Sequence, residues 1–329
     1  MNWKKGYSAS FLAMQVNPKT WQDLEEIKIL DGSISRDDSS DLLESASVTM
    51  TEAVGEIWLR IYLVAKQNGE AARVPLFTGL TSEPTRKIRG NHESYDVECY
   101  SVLKPCADKM LPLGWYAPYG GDGTEIIADL FKQCGIKVNS EFGGGYLAAN
   151  IVAEAGETYL TMAKKVAKAI NWQIRPNGLG EVSILPYSNE VKARFDGEND
   201  MVEPAVEDSQ DWFSCPNVLR VTSENKTAIF KDEDINSPLS IPNRGREIWK
   251  EENVTLPVGV SLGDYAMLRL KELQKPLRIL KYSRRYDPDV NIGDLISMGY
   301  PGIEGNYRIG SQNVQIGHSC RTGEVAYGT

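Results

Sequence analysis

The chain has 329 residues, 41% apolar before its 29 glycines are counted, which is long enough for two or three domains with sizeable cores. Its 45 acidic and 36 basic residues give a formal net charge of -9, the opposite of what a protein gripping nucleic acid through phosphates requires. No apolar run approaches the ~20 residues of a bilayer span, so no membrane insertion is expected.

Residues 1–20 carry Lys4, Lys5 and Pro18 and read as an irregular N-terminal arm, without the apolar stretch or cleavage site of a signal peptide. From Trp21 the character turns to β, with Ile27 and Ile29 alternating before Asp31-Gly32-Ser33. Residues 45–50 and 57–64 alternate in period two. In 57–64, Ile57, Leu59, Ile61 and Leu63 share one face, and Trp58, Arg60, Tyr62 and Val64 the other. Both are largely apolar, which predicts a strand covered on both sides. Gln67-Asn68-Gly69 is a hairpin signal answered by 74–77. A second hairpin passes through Arg89-Gly90-Asn91, with Tyr95, Val97 and Cys99 alternating after it. Short antiparallel strands over 21–104 predict a small barrel or sandwich.

The pattern then changes. Gly120-Gly121-Asp122-Gly123-Thr124 opens a helix with Ile126, Ile127, Leu130 and Phe131 on one side and Gly135 after it. Gly143-Gly144-Gly145 is a loop, and Thr158 caps a helix striped by Leu160, Ala163, Val166, Ala167 and Ile170. A hairpin over 172–185 turns at Pro176-Asn177-Gly178-Leu179-Gly180. Residues 105–205 therefore read as a small α+β domain. An acidic loop over 196–208 leads into a third region, 206–329. Strands are predicted at 218–222, 228–230, 277–282, 295–298, 307–309 and 313–316. Ser261 caps a helix running to about Leu273, and Pro276 stops it.

Few residues suit chemistry. His92 and His318 are the two imidazoles, and neither lies in a nucleophile-elbow context. Gly120 to Thr124 could offer helix amides to a phosphate, but Glu125 follows where a phosphate loop needs Lys and Ser or Thr. Asp287, Asp289 and Asn291 match the start of a calcium loop. Gly293 comes one place late and Met298 stands where the bidentate acid belongs. Trp58, Trp172 and Trp212 could stack on sugars, though such positions more often belong to cores. Five cysteines without a C-x-x-C pair read as reduced, buried thiols. We expect no catalytic, cofactor or metal site and no enzymatic activity. A carbohydrate-binding β-protein and a cell-wall hydrolase are the alternatives.

The order of several local phrases carries more. Trp21-Gln22-Asp23-Leu24 is followed by Asp31-Gly32-Ser33-Ile34-Ser35-Arg36-Asp37 and Glu44-Ser45-Ala46-Ser47-Val48. Gly156-Glu157-Thr158 and Gly178-Leu179-Gly180 come next. Asn217-Val218-Leu219-Arg220-Val221, Asn236-Ser237-Pro238-Leu239-Ser240 and Gly245-Arg246 then precede Tyr286-Asp287-Pro288-Asp289-Val290 and Gly293-Asp294. Across about residues 20–320 this resembles the baseplate hub proteins of phage tails and contractile injection systems, the prophage tail-protein family related to the late-control proteins. The resemblance implies a mainly β fold: two tail-tube-like antiparallel barrels, over 21–104 and 206–329 with an inserted helix, and the α+β domain between them.

It further implies a homotrimer in the virion, made in the bacterial host cytoplasm, between a six-fold tail tube and a three-fold central spike. Its partners would be tail tube, spike, tape-measure and baseplate proteins, with DNA only in transit. The sequence stops at Thr329 directly after the last predicted strand, so no fused lysozyme or peptidase is expected. A channel passing DNA should be neutral to acidic. The acids within 31–44 and 196–208 are candidates for lining it.

Overall fold

A computed structural model describes residues 1–139, 143–196, 205–223, 226–254, 261–317 and 320–329. The chain divides into two compact units, one of Met1–Val206 with Lys281–Tyr327 and Thr329, the other of Glu207–Leu280 with Gly328.

The first unit begins with eight strands: β1 (Ser8–Val16), β2 (Asp23–Ile27), β3 (Ile29–Asp37), β4 (Glu44–Met50), β5 (Trp58–Gln67), β6 (Glu70–Thr81), β7 (Thr85–Arg89) and β8 (His92–Ser101). The arm expected over 1–20 is corrected, because residues 8–16 pair along their length with β5 and also with β2. Adjacent Phe11 and Leu12 obscure the alternation in β1, yet Ala13 and Val16 are buried. In β5 residues 59–63 are all buried, as two covered faces require. The turn after it places Asn68 and Gly69 at φ 51° and 86°, the left-handed pair of a two-residue hairpin. Across β5, Ile61 faces Phe77 and Tyr62 faces Pro75, so Leu76 bulges out of register and buries beside Phe77.

The helical stretch follows. It contains α1 (Lys104–Asp108), β9 (Tyr116–Ala117), α2 (Gly123–Lys132), β10 (Lys137–Val138), β11 (Ile151–Val152), α3 (Tyr159–Ala169), β12 (Trp172–Pro176), β13 (Glu181–Pro186) and β14 (Val191–Phe195). The carboxylate of Asp122 accepts the Thr124 amide at the start of α2, and Thr158 Oγ1 accepts the Thr161 amide at the start of α3. Ile127, Leu130 and Phe131 of α2 meet Leu160, Ala163 and Val166 of α3 in one apolar cluster, closed by Val182 and Ile184 of β13. The turn between β12 and β13 presses on β6. A Cβ on Gly178 would lie 2.1 Å from the Pro75 carbonyl oxygen, so only glycine fits there.

The second unit holds β15 (Glu207–Asp211), β16 (Val218–Ser223), β17 (Lys226–Lys231), α4 (Ile241–Arg244), β18 (Trp249–Asn253), α5 (Leu262–Leu273) and the first four residues of β19 (Leu277–Arg285). Its sheet runs β17-β16-β18, with Leu219 and Val221 packed against Ala266 and Leu270 of α5. Ser261 caps α5 by accepting the Asp264 amide. Of the expected acidic loop, 197–204 lie outside the described residues, whereas Glu207 and Asp208 begin β15.

Back in the first unit come β20 (Leu295–Tyr300), β21 (Ile303–Ile316) and β22 (Arg321–Gly328). The strands predicted at 307–309 and 313–316 are one strand, β21. Residues 303–308 of β21 pair with β20, and 311–316 pair with β3, Ser311 facing Asp37 and Ile316 facing Gly32. Through β21 the sheet is continuous in the order β19-β22-β21-β3-β4-β8-β6-β5-β1-β2, with β20 beside β21, β14 beside β20, and β7 beside β8. Its core joins Ile34, Val48, Leu59, Ile61 and Phe77 to Tyr286, Val314 and Ile316. The fold is mainly β, as expected.

Candidate functional site

The residues singled out for chemistry lie apart in purpose. His92 is exposed at the start of β8, and His318 lies outside the described residues. At 120–124 the Asp122 carboxylate takes both the amide and the hydroxyl of Thr124, so the helix start is closed by its own cap. Asp287 accepts the Asp289 amide, and Asp294 accepts the Asn291 amide while pairing with Arg175 at 2.9 Å. This is a tight turn feeding β20. Among the described residues no three His, Cys, Asp or Glu side chains are grouped to hold a metal. Trp58 stacks on Trp21 at 5.1 Å, and both it and Trp172 pack on the apolar cluster of the helical stretch. Trp212 is exposed.

Three of the cysteines, Cys99, Cys106 and Cys320, are equally poor nucleophiles. Burial pushes the Cys99 and Cys320 thiols up to about 12 and raises Cys106 further, so these stay protonated near neutral pH.

What the structure brings together instead is a chain of buried polar side chains. Arg284 of β19 and Glu324 of β22, both nearly inaccessible, form a two-pronged pair at 2.9 and 2.6 Å. Gln312 of β21 donates to Glu324 at 2.6 Å, and its amide oxygen receives Arg36 of β3 at 3.4 Å. Arg36 also donates to the Leu76 carbonyl and approaches Glu44 of β4 at 3.6 Å. Six strands are thus tied across the β21–β3 junction, with β6 held through the Leu76 carbonyl. Glu44 Oε1 has no hydrogen-bond partner among the described residues. Burial outweighs the Arg36 attraction and pushes the Glu44 carboxyl up to about 7. A cleft of about 230 Å³ opens here, lined in part by Arg36, Glu44, Arg175, Asn177, Tyr286 and Asn291.

Sequence reasoning passed over these groups, although strand phase marks them. Arg36 is two residues from buried Ile34, Glu44 two from Ala46, and Glu324 two from Ala326. A charge in the inward phase of a strand signals a buried partner. A second such group is Arg60, which donates to Thr78, Asp23 and the Leu179 carbonyl and so fixes β5 to β2 and to the 177–180 turn.

An architecture of this kind occurs in solved structures. The 43 kDa tail protein of prophage MuSo2 from Shewanella oneidensis is similar over 96% of this chain and 97% of its own, at 14% identity and a TM-score of 0.65. This chain has the fold of prophage tail proteins. A tail protein from Neisseria meningitidis MC58 matches over 98% of this chain and 97% of its own, at 12% identity and a TM-score of 0.66. A chain of the Francisella PdpA–VgrG complex matches over 98% of this chain and 58% of its own, at 10% identity and a TM-score of 0.55. No family model and no curated protein matches the sequence.

Proposed function

We propose that this chain is a structural hub protein in the tail or baseplate of a phage or phage-like particle. The observation that carries the reading is the end-to-end likeness to prophage tail proteins, which leaves almost none of either chain unmatched. In this reading three copies form a ring whose tube-like sheets face the six-fold tail tube on one side and the three-fold spike on the other. Two tube-like units per chain make six per trimer, which reconciles the two symmetries. The ring touches tail tube, spike, tape-measure and baseplate proteins, resides in the virion, and is traversed by DNA at ejection. No hydrolytic step is assigned to it.

The buried polar chain serves this role mechanically. A wall around a channel must keep its sheet closed under load, and the hydrogen-bonded run Arg284–Glu324–Gln312–Arg36 fixes strand register more strictly than apolar contact does. The channel wall should be neutral to acidic. Asp31, Asp38 and Asp41 are exposed and remain candidates for it, but Glu44 is buried and is withdrawn.

Electron microscopy of assembled tails tests the reading. A ring with three copies is expected. Six copies, or one, would contradict it, and so would clearing of peptidoglycan by the purified chain that a single carboxylate substitution abolishes.

A further inference from the structure

Two strands of the first unit have free edges with opposite charge. Among the described residues β2 hydrogen-bonds to β1 alone, and β7 to β8 alone. β2 reads Asp23-Leu24-Glu25-Glu26-Ile27 and β7 reads Thr85-Arg86-Lys87-Ile88-Arg89. All five residues of β7 are exposed, as are the central three of β2. Free edges are templates for another strand, and proteins guard them, often with charge. A guard needs only one sign at every edge. Here one edge is acidic and the other basic.

The match extends to register. Laid antiparallel with Glu25 opposite Lys87, Asp23 faces Arg89, Leu24 faces Ile88 and Glu26 faces Arg86. Three acid–base pairs then flank an aliphatic pair, each of a kind that stabilises directly opposed strand positions. Slipping the register one residue either way leaves one acid–base pair. Leu24 and Ile88 are 54% and 65% exposed, so their contact would remove apolar surface that the single chain leaves wet.

Several of the charges are already held in place. Arg86 pairs with Glu93, Lys87 with Asp96, and Asp23 with Arg60 and Arg73. Glu25, Glu26 and Arg89 have no ion-pair partner among the described residues.

We propose that β2 of one copy pairs antiparallel with β7 of the next, in the register that sets Glu25 against Lys87. The two edges do not meet within one chain, so the occupant is a second copy. Such a contact uses two different surfaces and is head-to-tail, the kind that closes into a ring when the rotation allows. The inference rests on the trimer reading and adds the surface that would make it.

Glu25→Cys and Lys87→Cys test it, because directly opposed strand residues lie within disulfide reach. Both positions are exposed, and unchanged melting of each variant checks that neither disturbs the fold. Mild oxidation of the two single variants mixed together should give a covalent dimer that neither gives alone. The double variant should give a covalent trimer as its largest species. Glu25→Lys with Glu26→Lys in the otherwise native chain should abolish association. A trimer by light scattering without any cross-link overturns the strand pairing and leaves the trimer standing. Covalent species running past three copies keep the pairing and overturn three-fold closure. A chain that stays monomeric at every concentration, with no covalent product, overturns both.

Discussion

Glu44 faces Arg36 at 3.6 Å with one carboxylate oxygen unbonded, so its charged form is poorly repaid for leaving water. Its carboxyl is raised from 4.5 to about 7 in the folded chain. The folded state therefore binds a proton that the unfolded state releases between those values. The stabilising contribution is full below pH 4.5 and is lost as pH rises through about 7, worth about 3 kcal/mol at most. Denaturant unfolding followed across this range should show stability falling with rising pH, and Glu44→Gln should flatten that slope. An unchanged slope in the variant would place the titration elsewhere. Arg284 and Glu324 differ from this pair in being fully bonded. Arg284→Met leaves a buried carboxylate without its cation and should cost about 3–5 kcal/mol. Adding Glu324→Leu removes the orphan charge and should recover most of that loss. A double variant as unstable as the single one would show that shape, not charge, dominates there.

Among the elements, those with local signals were legible and those completed by distant partners were not. β5, its Asn68-Gly69 turn, α2 and α3 announce themselves through alternation, turn residues or a cap, because neighbours along the chain satisfy them. β22 carries no such mark. Its inward residues are Thr322, Glu324 and Ala326, and the glutamate is tolerable inside only because Arg284, 40 residues away, reaches it. β1 is hidden for a similar reason, since the partner along its whole length is β5, distant in sequence, although β2 follows it directly. The hairpin tip at 177–180 shows how closely the helical stretch and the barrel strands engage. Gly178 lies against the Pro75 backbone, and Thr78 donates to the Gly178 carbonyl at 2.7 Å. Gly178→Ala must push the tip away, breaking that bond and the one from Arg60 to Leu179. Chemical denaturation should show a loss of about 1–3 kcal/mol. A neutral result would mean that the tip shifts freely and does not brace β6.

At the scale of the molecule, the sequence suggested regions that follow one another, whereas the contacts join residues far apart. The first unit takes in both Met1–Val206 and Lys281–Tyr327. No periodicity within 21–104 could reveal that β3 needs β21, because the pairing partners of 32–37 arrive at 311–316. This has a direct consequence for truncation. A chain ending at residue 205 retains all of β1 to β8 and every helix of the α+β stretch. It loses the strand on the outer side of β3, and with it Tyr286, Val314 and Ile316 from the core around Ile34. Arg36 loses Gln312, and the newly bare edge of β3 presents unpaired amides and carbonyls beside exposed apolar side chains. Such a fragment should melt without a sharp cooperative transition, or aggregate, while the full chain melts cooperatively. Circular dichroism on heating, with size-exclusion chromatography of the same samples, measures both. If the fragment is monomeric and melts as sharply as the full chain, the barrel strands are self-sufficient and the β21–β3 junction is a seam between independent folding units.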